Sequence, residues 1–276
     1  MKHTASGKHG VLRLAGAVLA GLMSVAAYGS NGAEKAASAE SPKKDEMMMM
    51  YQWVQEHLTD AKAKMPFSFV YDGNASEALL ADWPKKVETK KLDANRTQRT
   101  LAWTDPKTGM EVRCVAVEYT DYPAVEWTVY CKNTGTNSAL ILQDIQGVDA
   151  QFERAAEGEF TLHGNKGDWC TADSFAPFQE TLGPKVSKRF VSFGGRPTNH
   201  VWPYYNLQMP GGGVFLAIGW PGQWAGSFTR DEARGLRVVA GQELTRLSLK
   251  PGEEVRSPLI ALVFWFLLRA MLIQAF

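Results

Sequence analysis

Cysteine is scarce: three in 276 residues, with no Cys-x-x-Cys pair and no Cys/His cluster at zinc spacing. A dense disulfide framework and a zinc-knit fold are both excluded, so a hydrophobic core has to carry the stability. An excess of one charge is also lacking: 30 Lys+Arg stand against 29 Asp+Glu, and no basic run exceeds a pair. That leaves no electrostatic footprint for nucleic acid or an anionic membrane surface. Helical periodicity is missing from most of the chain, and with it the alternating βα pattern. What is present, 45% hydrophobic and 21% charged residues, suits a packed globular protein with one large domain or two small ones.

The ends differ from the middle. Lys2, Lys8 and Arg13 precede an apolar stretch from Leu14 to Ala27 and small residues at Ala27-Tyr28-Gly29. This reads as a secretory signal peptide over 1–29, too short for a span of ~20 apolar residues, and it implies an exported bacterial protein, periplasmic or extracellular. Residues 30–47, rich in Ala, Ser, Lys and Glu, read as a flexible linker. Met50, Trp53, Val54, His57 and Leu58 then fall at the spacing of one helical face, predicting a short amphipathic helix over 48–64. At the other end, Leu259 to Phe276 holds only Arg269 and Gln274 as polar residues. It reads either as a membrane anchor, against which an Arg near mid-helix costs about 2.5–3.5 kcal/mol, or as an aberrant apolar tail over 264–276 closing a truncated chain.

Between 65 and 263 short alternating runs are separated by Gly, Pro, Asp and Asn, as in TLAWTDPKTG, EVRCVAVEY and AVEWTVYCKNTG. The pattern predicts an all-β domain, a large antiparallel two-sheet β-sandwich. Asp105-Pro106-Lys107-Thr108-Gly109 is the turn of a first hairpin, and a second turns near Tyr122-Pro123. That second turn places Cys114 opposite Cys131, which allows a cross-strand disulfide; against it stands the poor fit of directly paired strand positions to disulfide geometry, and two buried thiols are the other reading. Cys170 has no nearby His to activate it and is not read as a nucleophile.

The densest constellation runs from Ser192 to Trp224. Trp202, Tyr204, Tyr205, Trp220 and Trp224 lie there beside Arg196, Asn199, His200, Asn206 and Gln223. Flat rings with amide and guanidinium donors suit a sugar, and Arg196, Asn199, Trp202, Trp220 and Trp224 are the candidate carbohydrate-facing residues; equally, the rings can fill the sandwich core. Gly211-Gly212-Gly213 is no phosphate loop, because a strand rather than a helix follows it. His57, His163 and His200 are too scattered to argue a metal site, and nothing indicates a cofactor. Asp168, Asp173, Glu180, Asp231 and Glu232 are available as carboxylates, but spacing brings no two of them together.

Seven segments in order, Pro66-Phe67-Ser68-Phe69-Val70-Tyr71, Thr104 to Gly109, Ala124-Val125-Glu126-Trp127, Phe193-Gly194-Gly195-Arg196, Asn206-Leu207 with Pro210 to Gly213, Gly219-Trp220-Pro221-Gly222-Gln223-Trp224, and Leu249 to Glu254, carry a resemblance. Over roughly 50–265 the chain resembles the N-terminal domain of bacterial α-galactosidases of glycoside hydrolase family 36. The resemblance implies a β-supersandwich that in the family precedes a (β/α)₈ barrel and a C-terminal β domain. It also implies retaining hydrolysis of terminal α-galactosides, with an aspartate nucleophile and an aspartate acid/base on the barrel. After Trp265 the sequence departs from the family, so no position here inherits those aspartates. The expectation is a chain inactive alone, whose sandwich buttresses the missing catalytic barrel and lends Arg196, Trp220 and Trp224 to the rim of the sugar site. A stand-alone carbohydrate-binding module and a membrane-anchored interaction domain are the alternatives.

Overall fold

Met50, Trp53, Val54 and Leu58 form one buried stripe in the computed structural model, which describes residues 44–59, 64–154 and 157–266. They belong to helix α1 (Lys44–Val54) and to the π-helical turn Gln55–Thr59 that extends it. The helix starts ahead of the expected boundary at 48, taking in the end of the presumed linker, because Asp45 and Glu46 sit in its first turn where the helix dipole favours acidic side chains. The expected signal peptide, the linker up to residue 43 and residues 267–276 lie outside the described residues.

Among the described residues the rest is a sandwich of two antiparallel sheets, as the alternation predicts. The larger, ten-stranded sheet runs β3 (Lys85–Lys91), β4 (Arg96–Thr104), β5 (Met110–Tyr119), β6 (Ala124–Asn133), β17 (Leu259–Phe266), β12 (Gly212–Gly219), β11 (Tyr204–Met209), β8 (Phe160–Asn165), β9 (Pro177–Leu182), with β16 (Glu254–Arg256) also on β6. The seven-stranded sheet runs β10 (Ser187–Val191), β13 (Trp224–Arg230), β14 (Gly235–Gln242), β7 (Leu142–Glu153), β1 (Ser68–Tyr71), β2 (Asn74–Ala75), with β15 (Arg246–Leu247) also on β7. A short helix, α2 (Ser76–Asp82), follows β2.

Strand period decides what is buried. Along β5, Val112, Cys114 and Ala116 point into the core while Glu111, Arg113, Val115 and Val117 face out. The sheets meet at Trp127 of β6, fully buried, whose indole N–H donates to the Gly147 carbonyl of β7 at 2.8 Å. Gly147 permits the approach: a Cβ there would stand 3.1 Å from Ile260 Cγ1 and from the Pro258 carbonyl. Trp53 of α1 stacks on Trp127 at 5.1 Å and lies 6.2 Å from Phe264 of β17, so the helix docks on the same aromatic cluster.

Two expectations are corrected. Leu259 to Phe266 is neither tail nor membrane helix but β17, paired with β12 from Gly219↔Leu259 to Gly212↔Phe266 and with β6 on its other side. The sandwich therefore extends past Val263 to Phe266. The run is apolar throughout because Ile260, Leu262 and Phe264 fill the core while Leu259, Ala261, Val263 and Trp265 line the outer face. No described helix is long and apolar enough to cross a membrane. The second correction concerns the thiols: Cys131 pairs with Val112 and Cys114 with Val129, because the turn lies between Tyr119 and Ala124, and both cysteines are free and buried. Burial pushes each thiol up to about 12, which keeps it protonated and unreactive.

Two outcomes are expected. A thiol reagent should label only Cys170, the exposed cysteine, in the native protein, and all three cysteines after unfolding without reductant; a single labelled thiol after unfolding would restore the disulfide. Trp127→Phe, which strands the Gly147 carbonyl, should cost about 1–3 kcal/mol of stability by urea unfolding, and an unchanged midpoint would remove the bond from its place in the fold.

Candidate functional site

Three connections gather beside one another. The 166–176 loop joins β8 to β9, the 192–203 loop leaves the smaller sheet at β10 for β11, and 220–223 returns from β12 to β13. The first two are stitched through backbone: Gly167 N–H donates to the His200 carbonyl at 2.9 Å, Asp168 N–H to Thr198 at 2.7 Å and Trp202 N–H to Asn165 at 3.2 Å. Gly167 is required there, since a Cβ would stand 2.0 Å from the Thr198 carbonyl oxygen. The third joins through Ser192, whose N–H donates to the Trp224 carbonyl at 3.0 Å while its Oγ accepts from the Trp224 N–H at 3.0 Å.

The loops are unusually shaped. Cys170, Phe175 and His200 all take left-handed backbone with φ of 57°, 63° and 72°, a region costing non-glycine residues roughly 1–2 kcal/mol each. Short polar side chains hold that shape. Asp168 Oδ1 accepts from the Cys170 N–H at 3.0 Å, and Ser174 Oγ accepts from Trp169 and Thr171 at 3.1 Å each. Asn165 Nδ2 donates to the Phe175 carbonyl at 3.0 Å.

The result is a row of aromatic rings presented outward. Trp169, Phe193 and Phe175 are 53%, 48% and 47% exposed. His200 lies between two of them, 3.7 Å from the Trp169 ring centre and 4.7 Å from that of Phe193. Phe175 meets Trp202 edge-on at 5.2 Å, and Trp202 lies 5.9 Å from Tyr204. Single exposed apolar residues need no explanation, but several held together by strained loops do.

The predicted residues divide. Arg196 is exposed on the turn closed by its N–H to Phe193 at 3.2 Å, and Trp202 is half-buried within the ring row. Trp220 is half-buried with the Arg256 guanidinium over it at 5.2 Å. Trp224 and Asn199 are turned inward. Trp224 is 0% exposed and its indole N–H holds the Pro197 carbonyl at 2.7 Å. Asn199 is buried, with Nδ2 on the Phe193 carbonyl at 3.1 Å and an Oδ1 that has no partner among the described residues. For both, the core reading wins, as it does for Tyr205.

Trp169 and Phe175 lie outside the Gly- and Pro-rich segment after Ser192 and are not among the candidates that its composition points to. Gly167-Asp168-Trp169 followed by Thr171, Asp173 and Ser174 is the signal that could have found them: a ring set among turn-forming side chains.

The carboxylates are engaged singly. Asp173 meets Lys166, whose hydrogen bond holds it down to about 2; Glu180 pairs with Lys188, Asp231 with Arg230 and Glu232 with Lys185. Asp168 caps its own loop. Each of these carboxylates is thus met by a neighbouring cation or by the backbone of its own loop. Among the described residues no three His, Cys, Asp or Glu are grouped to hold a metal ion. Gly167→Ala should separate the stitched loops, altering the near-ultraviolet circular dichroism of the Trp169 region and costing about 1–3 kcal/mol; a spectrum and stability equal to wild type would show that the close approach is not needed.

No protein-family model and no curated protein matches the sequence. Solved structures do match in shape. Against an α-galactosidase from Lactobacillus brevis the TM-score is 0.57 at 13% identity, covering 76% of this chain and 30% of that one. A glycoside hydrolase family 36 α-galactosidase from Geobacillus stearothermophilus gives 0.54 at 14%, covering 73% and 30%, and variants of that enzyme have been solved with raffinose and with stachyose. The galactosidase domain of an α-galactosidase-sucrose kinase gives 0.56 at 17%, covering 74% and 30%. The chain thus spans about 30% of the length of these enzymes, and its sandwich has the fold of a domain that they contain.

Proposed function

We propose that this chain is the non-catalytic sandwich of an exported, α-galactosidase-like glycoside hydrolase, which supports a catalytic barrel and places its loops at the rim of the sugar site. The observation that carries the reading is the outward row of Trp169, Phe175, Phe193, His200 and Trp202 on loops stitched by backbone hydrogen bonds. Rings held rigid offer flat faces to the C–H surface of a pyranose without a large ordering cost. The raffinose and stachyose complexes of the Geobacillus enzyme make α-galactosides the substrate class to test. Export is motivated by the basic and apolar start of the sequence.

A second reading, a stand-alone carbohydrate-binding module, is favoured by the exposure of the same rings. Titration of the chain with raffinose, followed by tryptophan fluorescence, separates the two. The rim reading expects a weak, millimolar response that disappears in Trp169→Ala; saturation at micromolar sugar would favour the module, and identical curves for both proteins would refute a sugar-facing role for the loop. With a chromogenic α-galactoside the purified chain is expected to give no turnover above the enzyme-free rate. Turnover would overturn the non-catalytic assignment.

A further inference from the structure

The outer face of the larger sheet is divided by chemistry. On the β4 to β6 side it carries Arg113 between Glu111 and Glu254, an ordinary solvated surface. On the side of β9, β8, β11, β12 and β17, two neighbouring rows of paired residues contain no Asp, Glu, Lys or Arg. One row is Gln179, His163, Asn206, Phe215 and Val263; the other is Thr181, Thr161, Gln208, Gly213 and Trp265.

In these rows an indole lies flat against the sheet. A Cβ on Gly213 would stand 2.5 Å from Trp265 Cζ2, so the ring of β17 rests on the bare glycine of β12. Its N–H reaches across to Asn206 Oδ1 of β11 at 2.9 Å, which fixes its orientation. Phe215, 40% exposed, sits beside it with ring centres 6.5 Å apart. Because Asn206 Oδ1 is taken by the indole, the Asn206 Nδ2 hydrogens are left for another acceptor. The same holds for Gln208, whose Oε1 accepts from His163 Nε2 at 2.9 Å. The face thus joins an apolar ring platform to oriented amide donors with no charge among them.

We infer that this platform is a binding site for a neutral polysaccharide chain, separate from the ring row of the 166–176 and 192–203 loops. Pyranose C–H faces stack on Trp265 and Phe215, and sugar hydroxyls accept from Asn206 and Gln208. The absence of Asp, Glu, Lys and Arg from both rows disfavours anionic ligands and nucleic acid. An open platform, unlike a pocket, accepts the middle of a chain.

Native electrophoresis of the full chain through gels containing galactomannan or mixed-linkage β-glucan tests this. Retarded migration is expected in at least one gel, and Phe215→Ala and Gln208→Ala should each weaken the apparent affinity by about tenfold. Both side chains lie on the outer face, and circular dichroism is expected to be unchanged. Trp169→Ala should leave the retardation intact, so failure here is distinguishable from failure of the loop reading. Free migration of wild type in both gels would overturn the site, as would retardation that survives Phe215→Ala and Gln208→Ala.

Discussion

One hydrogen bond between a buried indole and a carbonyl in the opposite sheet sets the spacing of this sandwich. Trp127 must be large to fill the gap between β6 and β7, and Gly147 must be bare to let the sheets approach. The donor is desolvated, so its acceptor cannot be dispensed with. Around this contact the rest is organised: Trp53 brings α1 onto the cluster, Phe264 ties in β17, and β17 occupies the middle of the larger sheet. Burying such side chains contributes roughly 1.5–3 kcal/mol each, which lets three cysteines go without a disulfide.

The second constraint is at the crossover of the two sheets. Connections 192–203 and 220–223 pass between sheets, and Ser192 and Trp224 lock them together. With that end rigid, the 166–176 loop can be held in left-handed backbone at Cys170 and Phe175. Strain of this kind persists only where the surroundings over-determine it. The reward is a row of rings that cannot collapse into the core, since the core beneath is already filled by Trp224 and Tyr205.

Buried charge follows the same economy of satisfied partners. Arg230, fully buried, is met by Glu159, Asp231 and the carbonyls of Ala233 and Gly235. Each of its three nitrogens has an acceptor, as a desolvated guanidinium needs. Acidic residues across the domain are used as loop caps and ion-pair partners, so that a chain with 29 Asp+Glu in its sequence presents rings rather than a carboxylate pair at the described loops.

Much of the architecture was legible in the residues themselves. Period-two alternation and the Asp-Pro-Lys-Thr-Gly turn determine strands and the first hairpin, and the Met50-Trp53-Val54-Leu58 spacing determines the helix, because both are local properties of the chain. Register was not legible to the last residue: a turn centred slightly earlier than Tyr122-Pro123 set Cys114 against Val129 instead of Cys131. Nor could an apolar run such as Leu259 to Phe266 declare whether it was tail, anchor or central strand, since that depends on what covers its two faces. The ring-rich segment after Ser192 was visible, but which rings turn inward was not. Trp202 and Trp224 are the same residue type in the same segment, and only the tertiary packing buries Trp224 and leaves Trp202 at the edge, where Phe175 meets it from a separate loop. Sequence determined the supply of rings and amides; three-dimensional closure decided which of them water can reach.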